Sequence, residues 1–285
     1  ATPPAEKSGG ANGVGEIVEI VLEPEEEKAR QKARAARETV LRCITHNGMQ
    51  GRAFCSVDYS TSLLPAVMTA AAGVQPPDLS NAAKACALMI AHFPMHADRY
   101  AATVHAVASL ASAGSWRLRG GLLPFVGLLA YRGQFIEPLE ANTAALRAIL
   151  HGLMCDPQHE VREAGAVVLA GFIRLHGPAE RMRTLKWARQ RTKKGRPHSE
   201  RHAGVLALVA LVQLAPYDVP SWLPEVIELL ATFHNEPQPI KGAVSQAFSD
   251  FKRTHQDNWA SHRERFTPEQ QDLISDMLVS PSFYA

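Results

Sequence analysis

Between residues 149 and 169 the chain writes out a two-helix hairpin. Ile149, Leu150 and Leu153 set an apolar stripe at helical spacing, and Asp156-Pro157 interrupts it with residues that cap and begin a helix. Val161, Ala164, Ala166 and Leu169 then give a second stripe, small enough in places for another helix to approach closely. Arg162 is placed to reach a carboxylate or carbonyl of an adjacent hairpin. Such a unit buries one face in its own partner helix and leaves the other for a neighbour, so it is stable only in a stack.

The rest of the chain repeats the idea. Trp222, Leu223, Val226, Leu229 and Leu230, then Pro237 and Pro239-Ile240-Lys241, then Val244, Ala247 and Phe248 form a weaker copy. His202 to Leu214 is an apolar helix between the two copies. Helices paired at this pitch give an all-α, HEAT/armadillo-like solenoid with an extended C-terminal tail. Upstream, helices are expected at Lys28–Cys43 with Pro24 in the first turn, Ser62–Ala72 (ended by Gly73 and Pro76-Pro77), Ser80–Ala91, Tyr100–Leu110, Trp116–Leu129 and Pro138–Leu153. Aromatics make up only 7% of the residues, and Ala and Leu dominate, which favours helix over sheet. Residues 1–15, rich in Pro and Gly, read as a linker or a cut loop. Residues 16–266 read as repeats, and 267–285 as a terminal helix and tail. A start at Ala1 within such a stretch reads as a piece of a longer chain.

No nucleophile elbow, phosphate loop or dinucleotide fingerprint occurs, so catalysis is not the expected role and no cofactor is implied. His151, Cys155 and His159 are four apart, but Pro157 interrupts the helix that would align them, and no metal site is expected. Cys43, Cys55, Cys86 and Cys155 lack paired spacing and read as reduced intracellular thiols. The most apolar run, 203–214, is too short to cross a bilayer, so a soluble protein without a membrane partner is expected. The net charge of +2 points to no polyanion, but the cations are unevenly placed. Arg181 to Arg201 is densely basic, with Gly195 and Pro197 making its second half a loop. Arg189, Arg191, Lys193, Lys194 and Arg196 fit three readings: a solvated insertion, a nuclear-import signal, or a site for polyanions such as inositol phosphates or nucleic acid.

Thr267-Pro268-Glu269-Gln270 starts a last helix, with a cap, a proline at the first position and an acid after it. Pro281 stops helical continuation, and the chain closes on Phe283, Tyr284 and Ala285. Two aromatic rings followed by a carboxylate can plug a partner's pocket or fold back onto their own domain.

Several linked segments carry a specific resemblance. Arg201-His202-Ala203-Gly204-Val205-Leu206, Pro216-Tyr217-Asp218-Val219-Pro220, Pro237-Gln238-Pro239-Ile240, Arg253-Thr254-His255-Gln256-Asp257-Asn258-Trp259 and Leu278-Val279-Ser280-Pro281 resemble, in order, the C-terminal region of the large HEAT-repeat, ATP-independent activators of the 20S proteasome. The resemblance is strongest from Arg201 to Ala285 and looser from Ser115 through Leu169. It implies a dome-shaped solenoid whose hydrophobic-Tyr-X end inserts between subunits of the 20S α-ring and helps open the gate, independently of ATP and ubiquitin. Phe283, Tyr284 and Ala285 would be that end, with Phe283 where tyrosine is common. It also implies nuclear and cytoplasmic residence. Recognition of acetylated histones in this family involves an Asn-Phe pair; His176-Gly177 stands there instead, without the amide that would bind an acetyl carbonyl. A nuclear HEAT scaffold that binds import factors or chromatin is the alternative reading.

Overall fold

A computed structural model describes residues 24–50, 59–73, 76–93, 95–112, 114–136 and 140–278. The expected linker 1–15, residues 16–23 of the expected repeats, Cys55, and the tail with Phe283, Tyr284 and Ala285 lie outside them. Among the described residues the fold is helical throughout, with no strand. The principal helices are α1 (Pro24–Met49), α2 (Tyr59–Ser62), α3 (Leu64–Ala72), α4 (Pro77–His92), α5 (Ala97–Ser112), α6 (Trp116–Gly133), α7 (Glu140–Met154), α8 (His159–Arg191), α9 (His198–Val212), α10 (Leu223–Ala231), α11 (Ile240–His255), α12 (Trp259–His262) and α13 (Pro268–Leu278).

Two layers account for the packing. One runs α4, α6, the first half of α8, α9 and α11; the other runs α3, α5, α7, the second half of α8 and α10, and α13 packs on both α10 and α11. Helix α8 belongs to both because Gly177, at φ 74°, breaks it into 159–176 and 178–191. The first half closes the hairpin begun by α7, with a Cβ on Gly165 lying 3.0 Å from Met154 Cγ. The second half opens the next hairpin, with α9. Gly177 has nothing within 4 Å of where its Cβ would sit, so the torsion rather than crowding calls for glycine. Pro178 follows it at the first position of the next helix, where a missing N–H costs nothing.

The two faces of residues 159–176 show how a stack is held. Val161 and Phe172 belong to a core shared with α3, α4, α6 and α7. Ala166, Leu169 and Ile173 belong to a core shared with α9, α10 and α11. Helix α9 is buried on every side from His202 to Val212. By contrast α1, packed on α4, buries only Leu41.

Several boundaries differ from the sequence expectation. The helix expected over Ser62–Ala72 is two pieces joined at Leu63. Pro77 opens α4 rather than ending its predecessor, since its fixed φ suits a first turn. The basic stretch 181–201 is mostly helix: α8 continues through Arg191, α9 begins at His198, and the connection is only 192–197. Arg189 and Arg191 are therefore helical, not loop residues. Phe251 and Phe266 are buried, and Trp259 packs at their edge.

Candidate functional site

The C-terminal helix is set rigidly on the stack. Thr267 Oγ1 accepts the Gln270 backbone N–H at 3.3 Å, and Gln270 Oε1 accepts the Thr267 N–H at 3.1 Å. This reciprocal pair satisfies two N–H groups that a helix start leaves open. Gln270 also donates to Glu228 Oε2 of α10 at 2.9 Å, and Gln271 donates to the carbonyls of Arg263 and Phe266. Ile274 is buried, with Leu273 and Met277 packed on the same core. Below lies an aromatic cluster: Phe251 stacks on His255 at 4.0 Å and meets Phe266 edge-on at 6.2 Å. His255 Nε2 lies 3.2 Å from the Asp218 carbonyl, tying the segment to the α9–α10 connection. Burial holds the pKa of His255 below its ordinary value. Chain direction at residue 278 is thus fixed by packing on both α10 and α11.

The basic edge lies between α8 and α10, and most of its arginines are already engaged. Arg189 pairs with Glu225 of α10, and Arg191 with Glu200, which also meets Arg196 at 3.5 Å. Arg191 also lies over the Trp187 ring, and Arg181 over that of Trp222. Arg201 holds Glu236 at 2.6 Å, keeping that carboxyl ionised below its usual range. Lys193 and Lys194 are exposed, and no carboxylate among the described residues lies within ion-pairing distance of either. Sequence reasoning grouped five cations; the structure divides them into two arginines that tie helices together, Arg189 and Arg191, a third, Arg196, held by Glu200 four residues on, and two free lysines.

Sequence reasoning missed the buried ties between hairpins. Arg147 Nε donates to both oxygens of Glu180, at 2.7 and 2.9 Å, and Glu180 is wholly buried. Asp156 accepts two bonds from Arg119 of the preceding hairpin, at 2.5 and 3.0 Å, and one from the Gln158 N–H. Those donors hold its carboxyl below the usual range against the opposing effect of burial. Arg162 reaches forward, as its position suggested, but to a ring nitrogen: its Nε donates to His202 Nδ1 at 3.0 Å, while Nη1 donates to the carbonyls of Asp156 and Pro157. The Arg162–His202 pair was readable as two polar residues at apolar-stripe positions; their pairing was not.

His151 and Cys155, two of the three residues at metal-like spacing, have other roles or surroundings. His151 stacks on Trp187 at 4.2 Å, and α7 ends before Cys155. Among the described residues no group of three or more His, Cys, Asp or Glu side chains could hold a metal. Cys86 is buried and its thiol is pushed up to about 11, whereas Cys43 is exposed. At His176-Gly177 the imidazole lies against Phe172 at 4.3 Å, with Nε2 buried and unpartnered. Here the position expected to carry an asparagine belongs to the turn between two hairpins.

Comparison with known proteins decides the family. Residues 198–285, from the start of α9 onward, match the family described as Proteasome activator complex subunit 4-like, C-terminal. Proteasome activator complex subunit 4A of Danio rerio is 31% identical over 94% of this chain and 16% of its own length. Proteasome activator complex subunit 4 of Homo sapiens is 31% identical over 73% of the chain and 12% of its own length. The chain belongs to the proteasome activator complex subunit 4-like family. Proteasome activator subunit 4 of Arabidopsis thaliana is 33% identical over 87% of the chain and 14% of its own length. The chain spans about a sixth of the length of the first of these relatives. The matched region of the family begins at the helix buried on every side and includes α13.

Proposed function

We propose that this chain forms the end of a cap on the 20S proteasome, and that its last residues dock in a pocket between α-ring subunits to promote gate opening without ATP or ubiquitin. The observation that carries the proposal is the family match through residue 285, in a family whose relatives are named proteasome activators. The anchored helix α13 supports it, because a plug is effective only if its base does not swing. Phe283 fills the apolar part of the pocket, the Tyr284 hydroxyl makes a hydrogen bond, and the Ala285 carboxylate pairs with a lysine. The chain acts as a regulator rather than a catalyst. Removing residues 283–285 is expected to weaken retention of 20S particles and the stimulation of peptide hydrolysis; unchanged stimulation would refute the gating role.

A second reading rests on Lys193 and Lys194. They stand free on a short exposed connection, which is the form an import receptor or a polyanion reads. In this reading the protein works in nucleus and cytoplasm, and the two lysines rather than the arginines carry import. Lys193→Ala/Lys194→Ala is expected to shift the protein toward the cytoplasm, whereas Arg189→Ala, which breaks a tie to Glu225, is not. Equal nuclear levels for the double variant and the parent would remove this reading. The turn at His176-Gly177 lacks an asparagine, so acetylated histones are not proposed as partners.

A further inference from the structure

Beside α13 the stack leaves a small apolar opening. Phe251, Lys252, Gln256, Trp259 and Ile274 line a cavity of about 170 Å³ between α11, α12 and α13. Its wall is aromatic and aliphatic: Phe251 and Ile274 are buried, and Trp259 is half-buried. Its rim carries one amide, Gln256, and one ammonium, Lys252, both exposed. The neighbouring Arg253 is held by Asp250 at 2.9 Å, but no carboxylate among the described residues pairs with Lys252. An apolar wall, a hydrogen-bonding rim and an uncompensated cation are the chemical complement of an aromatic ring, a phenol and a carboxylate.

The chain's own end carries those three groups within reach. Ile274 forms one wall of the cavity, and residue 278 lies one helical turn, about 6 Å, beyond it. Five further residues to Phe283 span at most about 17 Å when extended. That length covers a reversal past Ile274 to the rim, and Pro281 stiffens the connection at small entropic cost. Tethering makes the encounter intramolecular, so a weak individual contact is enough to hold the end in place.

We propose that residues 283–285 park in this cavity when no proteasome is present, with Phe283 against Phe251 and Trp259, and the Ala285 carboxylate on Lys252. The proposal rests on the docking reading of the same residues and adds its regulation. The cavity protects the plug in the free protein and competes with the proteasome pocket for it. Docking then requires release of the parked end, which lowers the apparent affinity by the parked fraction.

Carboxypeptidase digestion of the full chain without proteasome tests this, with release of alanine, tyrosine and phenylalanine followed in time. Lys252→Glu, which repels the carboxylate, and Gln256→Trp, which covers the mouth, are each expected to speed release about fivefold, the scale of one exposed ion pair or contact. Lys241→Glu, an exposed charge reversal elsewhere on α11, is expected to leave the rate unchanged. Unaltered release in both cavity variants, with unchanged circular dichroism, overturns the parking. Proteasome pull-down of the same variants separates the two ideas. If cavity variants release normally while loss of 283–285 still abolishes capture, docking stands and parking falls. If release speeds up while loss of 283–285 leaves capture intact, parking stands and docking falls.

Discussion

Helices α1 and α9 are both long and regular, yet they are helices for different reasons. In α1 the sequence does the work locally. Pro24 starts it, Glu25, Glu26 and Glu27 sit at its positive end, and Glu38 pairs with Arg42 one turn on. Its tertiary anchoring comes to one buried side chain, Leu41. Helix α9 has no side-chain cap and is held by burial of every residue from 202 to 212. The surrounding region, α7 to α13, is cross-tied by Arg147–Glu180, Arg162–His202, Arg189–Glu225 and Arg201–Glu236. Locally encoded helix can drift in sequence while keeping its shape. A helix packed on all sides with registered polar ties cannot.

The comparison breaks most directly at Glu180. Removing this buried carboxylate leaves Arg147 only the exposed Glu140, 3.6 Å away, so Glu180→Ala is expected to lower unfolding free energy by about 3 kcal/mol, read from denaturant midpoints. The exposed α1 pair should behave oppositely: Glu38→Ala is expected to cost no more than about 0.5 kcal/mol. Similar losses at the two sites would mean that the ties do not distinguish the regions.

Acid sharpens the same contrast. His202 and His151 are both pushed down to about 4, mainly by burial and then by neighbouring arginines. The unfolded chain therefore takes up protons first, near pH 6.5, and stability falls as pH drops from about 6.5 to 4, by ~3 kcal/mol for one such buried ring. His202→Gln, which can still accept from Arg162, is expected to flatten that slope in a pH series of thermal melts. An unchanged slope would show that His202 is not among the rings responsible.

Glycines give a smaller pair of effects. A Cβ on Gly204 would lie 2.7 Å from Thr192 Cγ2 and 3.0 Å from the Ala188 carbonyl, so Gly204→Ala is expected to cost about 2 kcal/mol. Gly171 has nothing within 4 Å, and Gly171→Ala is expected to stabilise by about 0.5–1 kcal/mol through helix propensity. The cap of α13 is a local feature: Thr267→Ala is expected to cost ~1 kcal/mol and to raise amide exchange in residues 269–271 before the rest of the stack.

The hairpin at 149–169 was legible because its stripes, turn residues and small contact positions are all local. So was the start of α13, where Thr267, Pro268 and Gln270 act within one turn. What the sequence hid was register. Nothing in Glu180 or Glu225 marks the arginine each meets, because those partners lie 33 and 36 residues away across hairpins. The joint at Gly177 was legible only in part: a Gly-Pro pair reads as a helix end, not as a junction from which the next helix starts at once. The five cations looked alike in sequence, and only their distances to Glu200 and Glu225 separate tie from free charge.

The central claim is that the end of this chain grips the proteasome. Capture of purified 20S particles by the intact chain, and by the same chain amidated at Ala285, tests it with one charge changed and every packing contact retained. The account predicts that amidation lowers capture at least tenfold, since a buried charge-assisted contact is lost. Equal capture by the two forms would contradict it.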